Sequence, residues 1–189
     1  MEFSIGNIPF SKEISKYNDS CYDWRSAEIA IPFLNGSKLQ LILEFNDQEL
    51  ETFQADIEHV LRATLALGEA DRKRLRKHLF AYYQDFVADV GEDYLEDMPL
   101  QNTDADIWDY VFLSSLTICQ SSVTEEFFCQ FTGGCDWESE HGVAISFRHG
   151  RELARVGSIG HVSNADARAD PAMDQYIYYG NHIQTYANE

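Results

Sequence analysis

The chain has 189 residues and a formal net charge of -18, with 32 Asp and Glu against 14 Lys and Arg. That length suits one domain with a substantial core, and 44% hydrophobic with 13% aromatic residues excludes a disordered acidic chain, a class poor in aromatics. The charge balance argues against a general nucleic-acid binder, which needs a basic surface.

The opening residues, MEFSIGNIPFSKEIS, carry no basic region, no continuous apolar run and no small-residue cleavage site, so they do not read as a secretory signal. No apolar run approaches the length that crosses a bilayer. The expected location is the cytoplasm, with no membrane partner. Residues 1–26 read as an N-terminal segment. Residues 27–34 (AEIAIPFL) and 38–45 (KLQLILEF) then alternate apolar and polar side chains around Asn35-Gly36, a dipeptide that tolerates the positive φ angles of a tight turn. This predicts a β-hairpin, with Pro32 placing its strand at an edge or a bulge.

After Asn46-Asp47, suited to capping a helix, the apolar period lengthens to about 3.6: Leu50, Phe53, Ile57, Val60, Leu61, Thr64 and Leu65 share one face. Gly68 is expected to end that helix. A second starts near Asp71, carries Leu75, Leu79, Tyr82 or Tyr83, Phe86, Val87 and Val90, and stops at Gly91. The short connection predicts an antiparallel helical hairpin covering one face of a sheet. Residues 91–106 read as an acidic loop, and residues 107–113 (IWDYVFL) suit either a short helix or a strand. A β-meander follows, with strands at 116–121, 125–132, 143–147 and 153–157 and turns at Gly133-Gly134 and His149-Gly150. Residues 158–189 read as an irregular segment rich in tyrosine that packs back on the body. The order of strands, helices and strands gives a single α+β domain over residues 1–189.

Cys21, Cys119, Cys129 and Cys135 form no C-x-x-C pair and no disulfide framework, and nothing basic adjoins Cys119 or Cys129, so these two read as buried thiols. No phosphate loop, nucleophile elbow or dinucleotide fingerprint occurs, and no cofactor is expected.

The charge is unevenly placed. Residues 79–147 hold fourteen acids and no Lys or Arg, while Arg72, Lys73, Arg74, Arg76 and Lys77 cluster at the start of the second helix. Such a concentrated field attracts a basic partner, although a block of like charge is often only a solvated face. The basic cluster is expected to pair with neighbouring carboxylates. Candidate partner-binding residues are Asp89, Glu92, Asp93, Glu96 and Asp97, with Tyr94 as an aromatic anchor.

One dense polar motif stands out. Asp136, Glu138, Glu140 and His141 fall within six residues between two strands, a set that could hold a divalent metal or supply a general acid and base. The spacing matches no helical metal signature, and on a strand the adjacent Glu140 and His141 point to opposite faces. A structural account serves the same residues: Trp137 packs on the sheet, Glu140 accepts backbone N–H groups, His141 bonds a carbonyl and Gly142 permits a bulge. On this account the motif carries no metal and no catalytic residue.

The string Trp137-Glu138-Ser139-Glu140-His141-Gly142, followed by VAISFRHG and LARVGSIG, resembles the C-terminal signature of a family of small uncharacterised bacterial domains. There a W-x-x-E-H-G turn precedes an alternating strand, a short basic turn and a strand ending in V-G. Ala81-Tyr82-Tyr83 is similar to an A-Y-Y segment on an upstream helix of that family, and the likeness spans about residues 49–157. Such domains are met among immunity proteins of bacterial polymorphic-toxin and contact-dependent-inhibition systems. The resemblance implies an interaction protein and supplies no catalytic residues; taken with the acidic surface, the expected function is that of a non-catalytic immunity protein that binds and neutralises a cognate, basic protein toxin such as a nuclease. Two alternatives remain open: a metal-assisted hydrolase centred on Asp136, Glu138, Glu140 and His141, and a structural domain that self-associates through its tyrosine-rich C-terminus.

Overall fold

A computed structural model describes residues 3–14, 22–95 and 98–187. The chain forms β1 (Phe3–Ile5), β2 (Ile8–Ile14), β3 (Tyr22–Ala30) and β4 (Lys38–Leu43), then α1 (Asp47–Leu65) and α2 (Glu69–Val90). After these come β5 (Val111–Gln120), β6 (Phe127–Cys135), β7 (Val143–Arg148) and β8 (Glu152–Gly157), and finally α3 (Asn164–Arg168), β9 (Tyr176–Tyr179) and β10 (Gln184–Tyr186).

Among the described residues β1 to β8 make one eight-stranded sheet in sequence order, and β9 with β10 makes a separate hairpin. All neighbours in the large sheet are antiparallel except β4 and β5, where Leu41 pairs with Leu116 in parallel. Parallel neighbours need a crossover connection, and the helical hairpin provides it. The architecture is the expected α+β arrangement of N-terminal strand hairpin, helical pair and C-terminal antiparallel strands.

Local chemistry sets these boundaries. Asn35 and Gly36 take φ of 56° and 80°, the pair of positive angles a tight hairpin turn requires. Pro32 opens a short 3-10 turn instead of continuing β3, so that strand ends at Ala30. The Asn46 side chain accepts the Glu49 N–H while the Glu49 carboxylate accepts the Asn46 N–H, a reciprocal cap for α1. Gly68 is the residue before α2, not the stop of α1, and its N–H donates to the Asp71 carboxylate.

Leu50, Ile57, Val60 and Leu61 of α1 and Leu75, Leu79, Tyr82 and Tyr83 of α2 meet Leu41, Leu43, Leu116, Ile118, Phe131, Ile145 and Phe147 of the sheet in one core. Cys119, Cys129 and Cys135 are buried free thiols, and burial pushes the last two up to about 12. Cys21 lies outside the described residues.

Three expectations need correction. The N-terminal segment contributes β1, β2 and the start of β3, with Phe10 and Trp24 buried in the core. Gly133 and Gly134 lie within β6; Gly133 sits opposite a bulge in β5, where a side chain would collide with the Phe112 carbonyl. Residues 158–187 are ordered as α3, a 3-10 turn and the β9–β10 hairpin, and they do pack back on the body, against α2 and β8. Among the described residues no helix is long and apolar enough to cross a membrane.

Candidate functional site

The C-terminal end of α2 and the connection from β6 to β7 face one another across a groove of about 500 Å³. Phe86, Asp89 and Val90 line it from α2, Tyr94 from the 3-10 turn that follows Gly91, and residues 136–141 from the connection. Parts of the two stretches singled out in the sequence, far apart along the chain, thus share a single concavity. Its wall is apolar where Phe86, Val90 and Trp137 line it, and Asp136, Glu138 and Glu140 supply carboxylates. Tyr94 is 68% exposed, a large aromatic presented to solvent.

Glu138 organises the connection. Its Oε1 accepts the N–H groups of Glu140 and His141, and its Oε2 lies 2.9 Å from His141 Nδ1. The Glu138 carboxylate beside it, with Glu140 adding to the field, raises the His141 ring above its ordinary value. Trp137 is 1% exposed and edges against Tyr82 and Tyr83 of α2, at ring separations of 5.6 and 6.2 Å. Tyr82 Oη donates to the Gly142 carbonyl at 3.0 Å. Gly142 has φ of 61°, and a Cβ there would stand 2.4 Å from the Gly133 carbonyl oxygen, so the connection closes only around glycine.

The motif is therefore held mostly by different contacts from those expected. Trp137 lies in the core with residues of the sheet and also edges against α2; Glu138, not Glu140, accepts the backbone N–H groups; His141 pairs with a carboxylate and not a carbonyl; Gly142 serves a positive-φ turn and not a bulge. Glu140 and His141 are exposed and reach the groove. Asp136 and His141 line the same concavity, but among the described residues no three His, Cys, Asp or Glu side chains are placed to share a metal ion.

The candidate partner-binding residues separate. Asp89 and Tyr94 line the groove. Glu92 and Asp93 are exposed on the 3-10 turn outside its lining, and Glu96 and Asp97 lie outside the described residues. Asp89 is already engaged: Asn181 Nδ2 donates to it at 2.9 Å and His182 Nε2 lies at 2.8 Å, contacts that lower its carboxyl below the usual range.

Asp85, which the sequence reading missed, anchors the same tail. It is buried within α2 and accepts the N–H groups of Asn181, His182 and Ile183 at 2.7 to 3.0 Å. His78, one further two turns back, is also buried, with Nδ1 2.6 Å from Thr185 Oγ1. A polar residue spaced i, i+7 on the apolar stripe of α2 was the available signal, since a carboxylate on a buried face needs donors from somewhere.

Residues 12–162 match the family described as a domain of unknown function, DUF6985. That match spans most of the chain, from β2 through β8, and the chain belongs to this family. No curated protein and no solved structure matches it.

Proposed function

We propose that this member of the DUF6985 family is a non-catalytic binding protein whose groove between α2 and the β6–β7 connection receives a basic protein partner, and that its role is that of a cytoplasmic immunity protein neutralising a cognate toxin. The observation that carries the proposal is the convergence of Tyr94 and the carboxylates of Asp136, Glu138 and Glu140 on one concavity with an apolar wall. An exposed aromatic beside such a wall is the composition of an affinity anchor, and the surrounding acids select a cationic partner and speed its encounter. The neutralising role is supported by the likeness of the 137–142 turn to immunity proteins, and the cytoplasmic setting follows from that role.

The hydrolase alternative draws little from this geometry, because Glu138 is committed to holding the turn and no metal-sharing set forms around it among the described residues. For self-association through the C-terminus, Tyr178 is buried against Tyr82, which leaves Tyr179 and Tyr186 as the exposed rings of the tail.

The test is capture of the partner from the native cell, followed by association kinetics with the purified pair. We expect Tyr94→Ala to weaken binding at least tenfold through faster dissociation. Asp136→Asn combined with Glu140→Gln should lower the association rate and flatten its dependence on salt. A captured partner that binds both variants as tightly and as fast as the parent would remove the groove from the interaction.

A further inference from the structure

A second concavity, of about 560 Å³, lies away from the acidic groove and has the opposite character. His59 and Ala63 of α1, Arg74 of α2, Arg148, His149, Arg151, Glu152 and Leu153 around the β7–β8 turn, and Ala187 line it. Arg148 is committed to the wall: its Nε lies 2.9 Å from Glu126 Oε2, its guanidinium also bonds Asp174, and Glu152 stands beside it. Arg74 and Arg151 differ. Neither forms an ion pair with any carboxylate among the described residues, in a chain where acids outnumber bases 32 to 14. The expected neutralisation of the basic cluster by its neighbours does not happen at Arg74.

The β7–β8 turn lies directly on α1, since a Cβ at Gly150 would stand 2.2 Å from the Val60 carbonyl oxygen and 2.8 Å from Thr64 Oγ1. Gly150, with φ of 75°, permits this approach, and the approach fixes His149 and Arg151 on one side of the cleft with His59 and Ala63 on the other. His59, Arg74, His149 and Arg151 are exposed side chains whose backbone positions are set by α1, α2 and the turn.

We infer that this cleft is a binding site for the phosphate group of a small phosphorylated molecule. Two guanidinium groups without an ion pair among the described residues line one cavity with His59 and with His149, whose Nε2 lies 3.5 Å from Glu126 Oε1, and a phosphate supplies both the charge and the number of acceptor oxygens to engage their N–H donors. The volume is that of a small-ligand pocket, with Ala63, Leu153 and Ala187 as apolar wall for the remainder of the molecule. A nucleic-acid polymer is disfavoured because its phosphates would extend past the cleft across the surface of a chain of net charge -18, whereas a small anion feels those distant charges only through a screened field. This inference is independent of the acidic groove.

Isothermal titration of the full chain with inorganic phosphate and pyrophosphate, at constant ionic strength set with sodium chloride, tests it. Saturable binding of at least one probe is expected, weakened tenfold or more in Arg74→Ala combined with Arg151→Ala. Glu152→Gln, which removes the one carboxylate lining the cleft among the described residues, should tighten binding severalfold, a gain that damage to the fold would not produce. No saturable heat with either probe, or unchanged affinity in both variants, overturns the assignment.

Discussion

His141 and His78 show how one side chain's surroundings set its protonation. The Glu138 carboxylate favours the protonated His141 ring, so that pair contributes stability below the unfolded value of 6.5 and loses it as pH rises through the raised folded value. In Glu138→Gln we expect the His141 resonances, followed by NMR, to titrate at lower pH than in the parent. His78 behaves oppositely. Burial, assisted by Lys77 and Arg74, pushes it down to about 3, so the folded protein keeps the ring neutral while the unfolded chain protonates below 6.5. Stability is intact above pH 6.5 and falls as pH drops toward 3, by up to about 1.4 kcal/mol per pH unit. Urea unfolding at pH 6.5 and 4.5 should show this slope, and His78→Gln should reduce it. Neither effect was legible beforehand: the sequence displays His141 beside Glu140, but only the closed turn makes Glu138 its partner.

At the scale of elements, the apolar stripes of α1 and α2 and most of β3 to β8 were readable because their periods are local properties of the chain. Asn46 with Glu49, Asn35 with Gly36, and His149 with Gly150 were readable for the same reason. The tail was not, because its order comes from distant partners: Asp85 foremost, with Asp89, His78 and the burial of Ile177 and Tyr178 in the core. Three backbone N–H groups of the β9–β10 turn end on Asp85, and a Cβ at Gly180 would collide with that side chain. Asp85→Ala leaves those donors without their charged acceptor, at a cost of about 3 kcal/mol. Hydrogen exchange should accelerate at residues 180–183 and through β9 and β10 while the amides of β6 and β7 remain protected. Equal acceleration in the sheet would mean that the tail is integral to the core and not docked upon it. Short β1 and β2 escaped notice because three and seven residues with four exposed positions at the end of β2 give too little alternation to register.

Across the whole molecule, charge is segregated, not diluted. The acidic groove takes its lining from the end of α2 and the β6–β7 connection, while the phosphate cleft takes its lining from α1, the start of α2 and the β7–β8 turn. One helix therefore serves both, with Arg74 near its beginning and Asp89 near its end. The net charge of -18 was visible from composition, but its division between two sites required the fold.

The single parallel contact between β4 and β5 also dictates an order of assembly. β1 to β4 and β5 to β8 are each joined by neighbouring hairpin pairings that close quickly, whereas Leu41 can meet Leu116 only after both intervening helices have folded back. Pulse-labelled hydrogen exchange during refolding should protect β6, β7 and β8 before the β4–β5 amides; simultaneous protection would contradict this sequence of events. The middle of the sheet, flanked by the most deeply buried side chains of the finished protein, is then the last seam to be sewn, and an interrupted refolding leaves two half-sheets each exposing the edge meant for the other.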